Sequence, residues 1–308
     1  MNVRSTDPGR AAGWLTFILV AWLGLALAWG LGPAAAGQAP EAGAHLAEFE
    51  GLRLHYLDQG SGGQALVLIH GWSCDRTFWR HQIPALARRG RVLALDLPGH
   101  GQSDKPRLDY TQDFLADSVK AVLEAARVER AVLVGHSMGY SVSRRLLLHH
   151  PGLVKALVNV DGAYNRAPRD PAERDKWLKE NQAFAQIFQG PDYQRVVGEF
   201  IDSMIQPDTP AALVREIKTR MLATPQYVGT SAMTHFIEPG LWTEEVADVP
   251  VLAVYAAHPE LWPDNEEFLR KLYPRLEYHL WTGVSHFLML ERPDRFNKLL
   301  LDFLARLD

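Results

Sequence analysis

Ser137 lies between two glycines in Gly135-His136-Ser137-Met138-Gly139, a spacing that can turn a hydroxyl into a nucleophile. Ala131-Val132-Leu133-Val134 precedes it, an apolar run of the length of a buried parallel strand. After it Val142, Leu146 and Leu147 recur at near-helical spacing until Pro151. Strand, Gly-x-Ser-x-Gly and helix in that order describe a sharp corner that points a serine Oγ outward. The glycines permit the tight turn, and Ser137 is expected in a strained backbone conformation. The N–H of Met138, at the start of the helix, can stabilise an oxyanion. A serine hydroxyl is a poor nucleophile at neutral pH and needs a base, which in turn needs an orienting acid. His286 is the candidate base, because it follows a last strand and a glycine, at the sheet edge where ligands gather in such folds.

These residues need a scaffold, and the pattern around them supplies one. A hairpin is expected from Leu46 to Leu57, turning at Gly51. Buried strands follow at Ala65–Ile69, Val92–Leu95, Ala131–Val134 and Val154–Val160, with helical patterns between them. From Ala163 to about Ala247 the reading is helical throughout, broken at Pro207, Pro210, Pro225 and Pro239. Tyr193, Val196, Val197, Phe200, Ile201, Met204 and Ile205 form a clean stripe at i, i+3, i+4 spacing, expected to pack this inserted unit onto the core. The alternation resumes with strands at Val249–Tyr255 and Leu276–Trp281, and Arg295 to Leu307 closes as an amphipathic helix. Strands alternating with helices predict an α/β protein with a mostly parallel sheet covered on both faces.

The composition excludes several function classes. With 308 residues, a net charge of −4 and 22% charged residues, nothing points to a nucleic-acid partner. One cysteine, Cys74, rules out an internal disulfide framework and a multi-cysteine metal site. The N-terminus is more telling. Arg4 and Arg10 precede an uncharged stretch from Ala11 to Pro40, with an apolar heart from Trp14 to Leu31 and then Ala34-Ala35-Ala36. This reads as a secretory signal peptide, or as a retained membrane anchor over residues 11–32, followed by a linker. The expectation is an exported protein, periplasmic or secreted. Residues 1–44 then form the leader and linker, 45–162 and 248–308 the two parts of the core, and 163–247 a helical cap.

Several motifs occur in order: His70-Gly71-Trp72, Asp96-x-x-Gly99-His100-Gly101-x-Ser103, Gly135-His136-Ser137-Met138-Gly139, Gly283-x-x-His286 and Glu291-x-Pro293-x-x-Phe296. Together they resemble the α/β-hydrolase fold family over roughly residues 46–308. The resemblance implies an eight-stranded sheet with a helical lid between strands six and seven. It implies Ser137 as nucleophile, His286 as general base, and the N–H groups of Trp72 and Met138 as oxyanion donors. Asp96 and His100 would shape the loop after strand four. Serine at the corner, where some relatives carry aspartate, argues against haloalkane dehalogenase and epoxide hydrolase chemistry.

The acid departs from the family pattern. Many relatives place it shortly after strand seven, but in Tyr255-Ala256-Ala257-His258-Pro259-Glu260 the matching position is Pro259, which cannot orient an imidazole. Asp161, at the end of strand six, and Glu260, one residue off, are the substitutes, with Asp264 farther away. Asp161 is preferred on the requirement that the acid reach the imidazole N–H. The function expected is a serine hydrolase acting on a small to medium carboxylic ester, with no metal or organic cofactor. Its rivals are a carbon–carbon bond hydrolase, a cofactor-free haloperoxidase-like enzyme, and a slow-turnover binding or signalling protein. Trp72, Phe78, Phe184 and Phe287 are expected, with the cap, to set substrate size.

Overall fold

The computed structural model describes residues 41–162, 166–259 and 261–307. Eight strands form one sheet: β1 (Ala44–Phe49), β2 (Leu52–Gln59), β3 (Ala65–Ile69), β4 (Val92–Leu95), β5 (Ala131–His136), β6 (Val154–Val160), β7 (Val251–Ala256) and β8 (Leu276–Trp281). Their spatial order is β1-β2-β4-β3-β5-β6-β7-β8. β2 runs antiparallel to both β1 and β4, and every other pair is parallel. Every residue of β4, β5 and β7 is buried. A strand buried on both faces needs helices on both, which accounts for their unbroken apolar runs.

The flanking helices are α1 (Ile83–Ala87), α2 (Gln112–Ala125), α3 (Met138–His149), α8 (Asn265–Leu272), α9 (Leu288–Glu291) and α10 (Pro293–Leu304). α2 packs on α3, and α1 packs on α10. α2 begins where the Thr111 hydroxyl accepts the Phe114 N–H, a cap whose removal typically costs about 1 kcal/mol. It buries Leu115, Val119 and Val122 at helical spacing.

Between β6 and β7 the described residues form four more α-helices: α4 (Pro171–Ile187), α5 (Tyr193–Ser203), α6 (Ala211–Met221) and α7 (Gln226–Phe236). They are called the cap below. The α5 stripe is buried at Tyr193, Val197 and Ile201, while Val196, Phe200, Met204 and Ile205 pack half-buried against the core. Among the described residues no helix is long and apolar enough to cross a membrane. The apolar segment read as a signal peptide or anchor lies outside them.

Candidate active site

The corner after β5 is where the backbone departs most from ordinary geometry. Ser137 has φ 52° and ψ −120°, a conformation that a residue with a Cβ holds only against a cost of about 1–3 kcal/mol. It is held there on two sides. Its N–H donates to Val160 O at 3.0 Å, and its carbonyl accepts the Tyr140 N–H at 3.0 Å. The flanking glycines are required by space: a Cβ on Gly135 would lie 2.4 Å from the Gly139 carbonyl oxygen, and one on Gly139 would lie 2.3 Å from that of Ile69. The corner thus packs backbone on backbone and leaves the Ser137 side chain partly exposed.

His286 follows β8 and turns its Nδ1 to Asp161 Oδ2 at 2.7 Å. Asp161 sits directly after β6, also at positive φ (50°), and its other oxygen accepts the Ala256 N–H at 2.8 Å. Its side chain is 4% exposed, against 18% for His286, so the pair is screened on the acid side and open on the imidazole side. A carboxylate held this way keeps the imidazole proton on Nδ1 and leaves Nε2 to accept. Glu260 lies outside the described residues. Asp264 is engaged elsewhere, accepting from Arg166 Nη1 at 2.9 Å on the surface.

The ring of His136 ties the serine corner to the histidine loop. Its Nε2 donates to the His286 carbonyl at 3.0 Å, and the two imidazoles have centroids 4.6 Å apart. Burial holds His136 well below the ordinary histidine pKa, so it remains a neutral strut. The cap grips the same loop from above, where the Met204 carbonyl accepts the His286 N–H at 3.2 Å. The Ser137 hydroxyl itself makes no hydrogen bond among the described residues. Such contacts commonly tighten only when substrate is bound.

Facing the serine is the turn Gly71–Cys74, closed by Cys74 N–H to Gly71 O at 3.1 Å. His70 is fully buried; its Nε2 accepts the Leu97 N–H at 3.0 Å, so its Nδ1 carries the proton and donates to Gly71 O at 2.8 Å. Because a peptide is planar and trans, fixing the Gly71 carbonyl fixes the Trp72 N–H in the opposite direction. No protein acceptor among the described residues takes the N–H of Trp72 or that of Met138, the first residue of α3. Two donors are thus left to a ligand at the corner.

Asp96 and His100 shape the neighbouring loop. The buried Asp96 carboxylate accepts from Arg76 N at 2.8 Å, Arg76 Nη1 at 3.1 Å and Gln102 N at 2.9 Å. His100 is buried against His70 and donates to Pro98 O at 2.9 Å; burial pushes its pKa down to about 3. The four aromatic residues expected around the substrate divide in two. Trp72 and Phe184 belong to a ring cluster with Phe188 and Phe200 of the cap. Phe78 and Phe287 are instead fully buried core, paired with each other at 5.9 Å, and Phe287 also packs on His136. Among the described residues no group of three His, Cys, Asp or Glu could hold a metal ion.

The family model for the alpha/beta hydrolase fold matches residues 64–293, and the chain belongs to that family. It is therefore a hydrolase of the α/β fold. A 2-hydroxy-6-oxononadienedioate/2-hydroxy-6-oxononatrienedioate hydrolase of Paraburkholderia phymatum is 28% identical over 83% of this chain and 92% of its own. An uncharacterised protein of Mycobacterium tuberculosis is 41% identical over 110 residues, 36% of this chain and 32% of that one. Among solved structures, Est816, an N-acyl homoserine lactone degrading enzyme, superposes with a TM-score of 0.70 at 27% identity, covering 84% of this chain and 100% of that one.

Proposed function

We propose that the protein is a serine hydrolase that cleaves a small to medium carboxylic ester through an acyl-enzyme. The observation that carries this reading is the 2.7 Å Asp161–His286 contact beside a strained corner serine and two unclaimed N–H groups. Ser137 Oγ attacks the acyl carbon while His286 Nε2 takes its proton, and Asp161 steadies the resulting imidazolium. The carbonyl oxygen becomes an oxyanion held by the N–H groups of Trp72 and Met138; each such donor is typically worth about 3–4 kcal/mol. His286 then returns the proton to the departing alcohol. Water, deprotonated by the same ring, attacks the acyl-enzyme and frees the acid. The likeness to a lactone-degrading enzyme supports this chemistry, since a lactone is a cyclic ester.

The relative that hydrolyses a 2-hydroxy-6-oxo dienedioate favours a second reading, carbon–carbon bond hydrolysis with the same serine and histidine. One experiment separates the two: hydrolysis of nitrophenyl esters of graded acyl length, beside a vinylogous diketone, by the wild type and Ser137→Ala. Ester turnover that Ser137→Ala abolishes supports the proposal; turnover of the diketone alone supports the rival. The N-terminal apolar run supports an exported protein, with the leader removed or kept as an anchor; cell fractionation and N-terminal sequencing test this.

A further inference from the structure

We infer that Thr224 is a positioning residue: its hydroxyl, offered by the cap, holds the turn that presents the Trp72 N–H. This deepens the esterase reading and rests on it.

The turn Gly71–Cys74 is gripped from two sides. From the core, His70 and the Cys74 N–H both hold the Gly71 carbonyl. From the cap, Thr224 Oγ1 donates to Ser73 O at 3.1 Å and Gly229 O accepts Trp72 Nε1–H at 2.7 Å. Thr224 lies in the joint between α6 and α7 and is 5% exposed. Gly229 lies on α7 between α5 and the turn: a Cβ there would stand 2.0 Å from the Tyr193 hydroxyl of α5 and 3.3 Å from Ser73 Oγ. The rings of Phe188 and Phe200 stand edge-on to the Trp72 indole, at 5.3 and 5.7 Å.

The grip matters because the turn is not a resting conformation. Ser73 is fully buried and has φ 55°, a left-handed backbone that a residue with a Cβ rarely adopts. Its carbonyl, deprived of the Thr224 hydroxyl, would be a buried acceptor without that donor, and a turn so strained relaxes by rotating its peptides. The Ser73 carbonyl and the Cys74 N–H belong to one peptide, so its rotation withdraws the N–H that holds the Gly71 carbonyl, and the Trp72 N–H in the Gly71 peptide turns with it. His70 holds the Gly71 carbonyl from the core, while Thr224 steadies the Ser73–Cys74 peptide whose N–H holds the same carbonyl from the other side. Seating the cap therefore completes the oxyanion site, and Thr224 acts on turnover while the nucleophile and base stay in place.

The test compares Thr224→Val, which removes the hydroxyl at nearly constant volume, with Thr224→Ser, which keeps it. Misplacing an oxyanion donor should lower kcat of Thr224→Val about tenfold or more while KM stays within about twofold, and Thr224→Ser should return kcat to within about threefold of wild type. Native-state hydrogen exchange across residues 71–74, read without substrate, should quicken in the valine variant and stay near wild type in the serine variant. Unchanged kcat in Thr224→Val, a change in KM alone, or equal losses in both variants would overturn the inference. A wild type that turns over no ester strikes the reading of the site instead, and the exchange comparison then decides alone whether Thr224 holds the turn.

Discussion

Replacing Asp161 with asparagine keeps the shape of the acid and changes which atoms can donate. Two contacts set the outcome: Oδ1 accepts the Ala256 N–H at 2.8 Å, and Oδ2 faces His286 Nδ1 at 2.7 Å. An asparagine can offer its one oxygen to only one of them. With the oxygen on Ala256, the NH2 group meets His286 Nδ1, which must then accept, and the ring proton moves to Nε2. That nitrogen can no longer take the Ser137 proton. With the amide reversed, NH2 faces the Ala256 N–H, and a buried unpaired donor costs about 1–3 kcal/mol. The first arrangement is the stable one, so the variant holds the wrong tautomer. Turnover should fall by about four powers of ten, or about 5–6 kcal/mol in the barrier. KM and the thermal midpoint should change little, since no atom is removed. Steady-state ester hydrolysis, with stopped-flow detection of the first turnover, reads this directly. Activity within tenfold of wild type would refute the assignment and turn attention to Glu260.

The remaining expectations concern the scaffold. Gly135→Ala should fail to accumulate as folded protein, because its Cβ would lie 2.4 Å from the Gly139 carbonyl oxygen; soluble, active protein would contradict the packing at the corner. Burial lowers the pKa values of His70, His100 and His136, that of His100 to about 3, so the unfolded chain binds protons that the native fold refuses. Their contribution is whole above about pH 6.5 and is lost as pH falls below it; for His100 the loss runs toward pH 3, at about 1.4 kcal/mol per pH unit. Urea unfolding at pH 7 and pH 5 measures it, and His100→Gln should flatten the slope; a stability that does not fall would contradict it. Cys74 is buried and its thiol pKa is pushed well up, so a disulfide reagent should leave it unmodified in the native protein and label it in urea. Rapid native labelling would show that the turn opens.

The sheet was legible because buried strands carry no polar punctuation: Val92–Leu95 and Ala131–Val134 can hardly be anything else once glycines and charges bound them. The serine corner was legible for a related reason, since Gly135 and Gly139 stand where any Cβ would strike backbone. Asp161 could be proposed but not separated from Glu260, because reach to an imidazole is a three-dimensional quantity. What His70 and His136 do is not visible in the sequence. Each is one histidine among twelve, and each acts through a backbone carbonyl, of Gly71 and His286 respectively, that sequence patterns do not reveal. Sequence alone does not separate Phe78 and Phe287 from a substrate wall, because aromatic residues near a motif look alike whether they line a cavity or fill the core beneath it. The grip of Thr224 and Gly229 on the Gly71–Cys74 turn is out of reach altogether, since 151 and 157 positions separate the bonded residues.

The proposed hydrolysis stands on Ser137 as a nucleophile activated by His286 and served by two backbone donors. A fluorophosphonate ester tests it most directly, because it reacts only with an activated serine and leaves a phosphoryl oxygen where the oxyanion forms. One equivalent should bind, at Ser137 by peptide mass spectrometry, and labelling should slow by orders of magnitude in His286→Ala. In the adduct structure that oxygen should lie within hydrogen-bond distance of the Trp72 and Met138 N–H groups. Labelling at another residue, or an adduct oxygen turned away from both donors, would contradict it.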